Sequence, residues 1–426
     1  MTGTDVTVAR AWAIWACGAL FYAYGFFQRV APSVMIDELM AAFSVHATAL
    51  GQLSAAYFYT YALLQIPIGL MLDRFGPRLV MAGAAFLCAL GSALFGLAEG
   101  LALATIGRLC VGAGAAVTWI GVLYLAFRHL PPSAYAVATG LAMATGMAGA
   151  VGGQAPLSLA VAALGWRQTM LAGAGVALLL AAALWLLIPA TGRRVLAADR
   201  PALGESLGLA GGLKATWALA FFAASAAGPM LAFAGLWGVP YLMVGRGLTR
   251  PEAAWAVSLV MIGWGCAGPI ATTLERRFGL DRLVLMAGAV ASAVLAWALL
   301  LAWPAMPVAL LLAVLVVMGL SGAAMVLSFA LARDLADPRA AGTVSGIINT
   351  AVMGAGAVLQ PVVGWLLDLQ WDGSSGPAGR HYHVGAYEGA FLALPLVILC
   401  GSAMLPLLRR FRLRSNHVQS ESTERG

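Results

Sequence analysis

The chain has 426 residues, 62% of them hydrophobic and only 10% charged, with a formal net charge of +7 and a mean hydropathy of +0.90. That much polar surface cannot cover a soluble globule of this size, so a lipid-facing exterior is expected and a soluble fold is excluded. The Lys and Arg residues fall in short clusters between apolar blocks, without interleaved aromatics, which sets a nucleic-acid partner aside.

The chain begins with Met1 to Val8, uncharged apart from Asp5, and continues into an apolar block, Ala11 to Met35, long enough to span a bilayer. A retained first helix rather than a cleaved signal peptide is expected. Blocks of about 20 apolar residues, broken at Gly, Pro and charge clusters, predict twelve transmembrane helices. They start near Ala11, Ala49, Leu79, Leu101, Ala134, Gln168, Thr216, Pro251, Leu283, Pro307, Arg339 and Ala386. With both termini assigned to the cytoplasm, eighteen Lys/Arg fall on that side against four outside, Arg167, Arg246, Arg250 and Arg380. The positive-inside rule therefore predicts N-in, C-in insertion of a multi-pass protein, for which the plasma (cell inner) membrane is expected.

The longest break, Ala190 to Ala215, lies near the midpoint and carries Arg193, Arg194, Arg200 and Lys214. It divides the chain into an N-terminal six-helix bundle (1–189), a cytoplasmic linker (190–215), a C-terminal six-helix bundle (216–408) and a cytoplasmic tail (409–426). The polar stretch Gln370 to Gly385 is read as an outer loop in which His381 and His383 are solvated. The two halves repeat in register. Pro132, Thr139-Gly140 and Gln154 return 206 positions later as Pro338, Ser345-Gly346 and Gln360. Phe75-Gly76 and Arg78 return as Phe278-Gly279 and Arg282, at offsets of 203 and 204. A tandem repeat in one orientation is the arrangement of carriers whose substrate lies between the halves near the bilayer midplane.

Gly69, Asp73, Arg74, Gly76 and Arg78 close the second block, and Arg108, Gly112 and Gly114 stand in the fourth. Read alone, the first string is a helix end with positive-inside arginines. Together they resemble the loop-two and fourth-helix signatures of the Major Facilitator Superfamily, and span count, linker position and repeat extend the resemblance over the whole chain. It implies an all-α membrane protein of twelve transmembrane helices in two pseudo-symmetric six-helix bundles. It also implies a cytoplasmic gate formed by Asp73, Arg74, Arg78 and Arg128. The second half departs from the pattern, with Arg276 where Asp would stand and Glu275 one place early. Gly140, Gly149 and Gly153 carry the spacing of a motif of drug and proton antiporters, but Gln154 replaces the proline expected after Gly153. These glycines serve close helix packing on the simpler reading.

Ionisable residues far from a helix end are expensive in lipid and mark pathways; here they are Arg29 and Arg108. Both are placed about 10–12 Å from the outer face by helical rise. Tyr22, Arg29 and Ser33 share one helical face, as do Arg108, Gly112 and Trp119. Two cations without an embedded acid favour an anionic or carboxylate-bearing solute. Two rivals stand beside this: Arg108 as a structural group bonding backbone carbonyls, and Asp37 as a partner that neutralises Arg29. Tyr57, Tyr61 and Gln65 form a stripe that lines a cavity or packs, Trp237 ends the seventh span, and Asn349 is a polar group at mid-depth. Met143 and Met147 are read as core. The cysteines Cys17, Cys88, Cys110, Cys266 and Cys400 lie singly and are read as buried free thiols; no metal or cofactor site is written in the sequence.

The reading is a secondary transporter, not an enzyme, because no polar constellation recurs at catalytic spacing. It works as a monomer in the lipid bilayer on a small-molecule substrate: an organic anion, an amino acid or a dipeptide, branches of which the family contains. Symport with a proton or another ion and uniport both stay open. A multidrug/proton antiporter is the same-class rival and a non-transporting receptor or sensor the rival of another class.

Overall fold

The computed structural model describes residues 7–189, 203–336, 340–376 and 379–413. Arg193, Arg194 and Arg200 of the linker, Pro338 and Arg339, and the tail beyond Leu413 lie outside them, as does the side chain of Asp73.

Helices dominate because backbone polar groups in lipid must bond within their own segment. Ten runs are long and apolar enough to cross a membrane: Pro77–Leu97 (span 3), Leu101–His129 (span 4), Pro132–Leu164 (span 5), Trp166–Leu187 (span 6), Lys214–Arg246 (span 7), Arg250–Phe278 (span 8), Arg282–Ala302 (span 9), Val308–Leu335 (span 10), Gly342–Leu369 (span 11) and Val384–Leu413 (span 12). Val8–Val30 (span 1) and Ala47–Phe75 (span 2), of 23 and 29 residues, complete the twelve-helix bundle. Odd spans run away from the face that holds both chain ends, here the terminus face, and even spans return to it. Span 12 stays helical to Leu413, past the boundary at 408 read from composition. Within the stretch read as linker, Leu203–Gly212 is a further helix. In the loop after span 11, Ser375–Gly376 pairs with Gly379–Arg380 as a short antiparallel ribbon.

The two halves meet along spans 2 and 11 and along spans 5 and 8, and glycine sets how closely they approach. A Cβ on Gly51 would lie 2.7 Å from the Gln360 carbonyl, and one on Gly364 would lie 2.4 Å from that of Ala47. The expected close packing holds for Gly149 and Gly153, whose added Cβ would come within 2.0 Å of the Ala23 oxygen and 2.6 Å of the Phe27 oxygen; Gly140 has nothing within 4 Å.

The expectation of buried thiols needs correction. Only Cys17 and Cys88 are buried, while Cys110 is intermediate and Cys266 and Cys400 are exposed on outward helix faces. A thiol is apolar enough to face acyl chains without a partner.

Candidate functional site

A cavity of about 580 Å³ lies between the halves, lined by residues of spans 1, 2, 4, 5, 8, 10 and 11. It runs from Arg29 toward Arg333 and Gly342 at the terminus face. Along span 11 the lining extends from Gly342 to Met353, about 16 Å of helical rise.

Span 1 is built to hold Arg29 at the inner end. Pro32 stops the α-helix at Val30, and a 3₁₀ turn, Ala31–Val34, follows. Proline has no N–H, so the carbonyl four residues earlier, Gln28, loses its helical donor. Arg108 of span 4 supplies the replacement, its Nη1 lying 2.7 Å from the Gln28 oxygen. Arg108 is buried, sits 5.2 Å from the Tyr57 ring centroid and does not line the cavity. Of the two readings of Arg108, the geometry matches the group that bonds backbone carbonyls.

Arg29 faces the other way. It lines the cavity at 4% exposure, with its guanidinium 4.2 Å from the Phe26 ring centroid, 5.1 Å from Tyr61 and 5.7 Å from Tyr57. Each such contact contributes about 0.5–2 kcal/mol. Its Nε has no hydrogen-bond partner, and no carboxylate among the described residues pairs with it. Asp37 does not neutralise it, because Arg250 of span 8 takes Asp37 at 3.5 Å and also binds Glu38.

The other expected site residues divide sharply. Tyr22, Tyr61, Trp119 and Asn349 line the cavity. Asn349 donates its amide to Gln65 Oε1 at 2.8 Å, and Gln65 in turn donates to the Ala116 carbonyl at 3.2 Å, so spans 11, 2 and 4 are joined at the wall. Tyr57 is turned away, donating to the Gly25 carbonyl at 3.1 Å. Ser33 donates to the Val30 carbonyl at 2.7 Å, with Gln154 Oε1 3.3 Å away, outside the cavity. Trp237 is fully buried and donates to the Gln360 carbonyl at 2.9 Å. Span 7 is absent from the described lining, and span 10 takes its place with Met325, Phe329 and Arg333. Met143 and Met147, read as core, are cavity walls, as is Trp264. The signal for span 10 was in the sequence: Met325, Phe329 and Arg333 recur every four residues and so share a helical face.

The far face is closed by contacts between the halves. Asp368 at the end of span 11 accepts from the Thr48 backbone N–H at 2.9 Å and its hydroxyl at 2.5 Å, at the start of span 2. The same carboxylate accepts from the Tyr382 hydroxyl and lies 3.4 Å from Arg380. Burial and the adjoining carboxylate push the Tyr382 hydroxyl up, so it remains a donor. Tyr382 also accepts from the Ala47 N–H at 3.2 Å. Between this seal and the cavity, span 7 contains a π turn, Phe233–Trp237, in which Gly238 N–H reaches Phe233 instead of Ala234. The freed Ala234 carbonyl receives Gln154 Nε2 of the opposite half at 2.8 Å, while Gln360 Nε2 reaches the Leu231 carbonyl at 3.2 Å. The glutamines that repeat in sequence thus both serve span 7.

At the terminus face, Arg78 stacks on Trp185 at 4.3 Å and Arg74 lies over Phe75 at 5.5 Å; Arg128 is half-buried at the end of span 4. In the second half, Glu275, one place before the expected acid, is ion-paired. Arg282 binds Glu275 at 2.7 Å and also Asp334, and Arg412 binds Asp281 at 2.6 Å.

The model of the Major Facilitator Superfamily matches residues 16–361. The chain belongs to the Major Facilitator Superfamily. It is a multi-pass membrane transporter, not an enzyme. An uncharacterized transporter of Bacillus subtilis (strain 168), YybO, is 28% identical over 146 residues, which is 34% of either chain, so the match spans about a third of that relative. Among solved structures, the fold resembles a bacterial homolog of the human lysosomal transporter Spinster in an inward-facing, unoccupied conformation. The TM-score is 0.76 at 18% identity, over 97% of this chain and 99% of that one. The nucleoside transporter NupG is similar at TM-score 0.76 and 13% identity, over 94% and 99%. These likenesses concern the fold.

Proposed function

We propose that the protein moves a small carboxylate-bearing solute, an organic anion, amino acid or dipeptide, by alternating access of the two halves about the central cavity. One observation carries the reading: Arg29 is buried on the cavity wall, and no acid among the described residues neutralises it. A guanidinium keeps its charge, so its desolvation must be offset by aromatic faces, by water or by an anion. Asn349 and the other polar groups of the wall serve orientation. With the terminus face in the cytoplasm, as the distribution of Lys and Arg supports, the cavity is open inward and the Asp368 and Arg250 contacts close the outer side. Asp73, Arg74, Arg78 and Arg128, with Arg282 and its two acids, would join when the inner side closes. The protein acts as a monomer in the plasma membrane; coupling to a proton or another ion is decided by flux, not by the lining.

The experiment is counterflow in proteoliposomes with labelled carboxylates, amino acids and dipeptides, for wild type and Arg29→Ala. Saturable counterflow by wild type that Arg29→Ala abolishes is the expected result. Movement confined to lipophilic cations, or uptake of the same solutes by both proteins, refutes the anion reading.

A further inference from the structure

Resting on that reading, we infer that the solute is a monocarboxylate with a flat, ring-bearing apolar body and no ammonium group. The carboxylate meets Arg29, and the ring lies among Tyr22, Trp119, Trp264 and Phe329.

Three features of the cavity narrow the solute. First, no acidic residue stands among the described lining residues, so an ammonium has no counter-charge there. The two aromatic faces nearest the carboxylate, Phe26 and Tyr61, are already covered by Arg29 itself. An amino acid or dipeptide would bring a positive group next to a fixed positive group. Second, beyond Arg29 and Arg333 the described lining carries polar side-chain atoms only on the rings of Tyr22, Tyr61, Trp119 and Trp264, on Ser345 and on one amide pair. Gln65 and Asn349 bond each other at 2.8 Å, and Gln65 is also tied to the Ala116 carbonyl. A polyhydroxylated acid would strand hydroxyls against Met143, Met147, Met325 and Met353, and unpaired buried hydroxyls are costly. Third, the second cation of the lining, Arg333, stands exposed at the mouth. Tyr22 lies two helical turns from Arg29 toward that mouth, about 10 Å of rise, so the second carboxylate of a short dicarboxylate would face the aromatic wall.

What remains is an anion whose body gains from apolar burial and ring contact. The wall suits it, since Tyr22 packs on Trp119 with ring centroids 5.2 Å apart and on Phe26 at 5.0 Å. Tyr22 has this position because residue 146 is glycine. A Cβ there would fall 2.6 Å from the tyrosine ring, so Gly146→Ala would drive Tyr22 into the cavity without adding a polar or charged group.

The test uses purified full-length protein and isothermal titration calorimetry, with matched probes. The probes are 3-phenylpropionate, its amide, phenylalanine, succinate, gluconate and the bulkier naphthylacetate. Wild type is expected to bind phenylpropionate at least about tenfold more tightly than the amide, phenylalanine, succinate or gluconate. Arg29→Ala should erase the difference between acid and amide. Gly146→Ala should weaken naphthylacetate more than phenylpropionate; Trp119→Ala, which enlarges the cavity, should do the reverse and serves where Gly146→Ala does not fold. If phenylalanine, succinate or gluconate matches or exceeds phenylpropionate and loses binding in Arg29→Ala, this inference falls while the carboxylate reading stands. If no carboxylate among the probes binds at millimolar concentration, or if every one that binds is held as tightly by Arg29→Ala as by wild type, both fall.

Discussion

Asp368→Asn should open the far side of the protein. In the closed arrangement the carboxylate accepts two bonds from Thr48, at 2.9 Å from the backbone and 2.5 Å from the hydroxyl. Thr48 sits in the first turn of span 2, where the helix dipole favours a negative charge. Tyr382 and Arg380 belong to the same half as Asp368, so they travel with it and cancel between open and closed states. Of the contacts that Asp368 itself makes, those with Thr48 cross between the halves, as does the neighbouring bond from the Ala47 N–H to Tyr382, which the substitution leaves in place. Each charge-assisted bond contributes about 1.5–3 kcal/mol net. Asparagine keeps one acceptor oxygen for the two Thr48 bonds, which share a single carboxylate oxygen, but removes the charge that roughly doubles their strength, so about 2–3 kcal/mol of closed-state preference should vanish. That corresponds to a shift of about 30- to 150-fold toward far-side opening. Spin labels at Val45 and Gly373, read by pulsed dipolar spectroscopy in nanodiscs, report the distance across the seal. A new long-distance population is the expected result, and Thr48→Val should reproduce part of it. A distance distribution unchanged between wild type and Asp368→Asn would refute the assignment of these contacts as the seal.

Arg250→Gln should open the same side by less, about 0.5–1 kcal/mol, because Asp37 and Glu38 are partly exposed. High salt should mimic it in wild type and have little further effect in the variant, as the same labels would show. Arg108→Leu should destabilise the fold by about 1–2 kcal/mol by stranding the Gln28 carbonyl, measured by thermal unfolding in detergent. In a Pro32→Ala background, where an N–H is restored to that carbonyl, the same substitution should cost little, and a full cost there would overturn the pairing. Gly149→Val should prevent span 5 from seating on span 1, since even a Cβ would approach the Ala23 oxygen to 2.0 Å; normal yield and unfolding temperature would count against it.

The architecture was legible because apolar run length and the repeat at about 206 residues are one-dimensional signals. The cavity was legible only where a residue was chemically out of place. Arg29 stood out as a charge in lipid, and it lines the cavity. Arg108 stood out equally but points elsewhere, because sequence depth gives height in the membrane and not the direction in which a side chain turns. Tyr57 shows the same limit within a single stripe: Tyr61 and Gln65 face the cavity, while Tyr57 lies between the two arginines. The methionines and Phe329 were unreadable as lining because an apolar residue on a cavity wall is compositionally identical to one in the core. Tertiary contacts between halves, such as Asp368 with Thr48, join residues 320 positions apart and leave no local pattern.

The proline at position 32 connects these observations. A break in a transmembrane helix releases a carbonyl that lipid cannot satisfy, so a side chain from elsewhere must reach it. Arg108 does so for Gln28 in span 1, Tyr59 approaches Ala357 at 3.5 Å above Pro361 in span 11, and Gln154 and Gln360 do so around the π turn of span 7. The contacts made by Tyr59 and Gln154 cross between the halves, whereas that made by Arg108 stays within one. Rocking of the halves therefore breaks the first kind and preserves the second. Arg108 thus holds the span 1 break in both states, and with it the orientation of Arg29 one residue beyond the supported carbonyl. The anion site proposed at Arg29 would then move as part of a rigid half, while the carbonyls served by Tyr59 and Gln154 must find water or another donor when the far side opens.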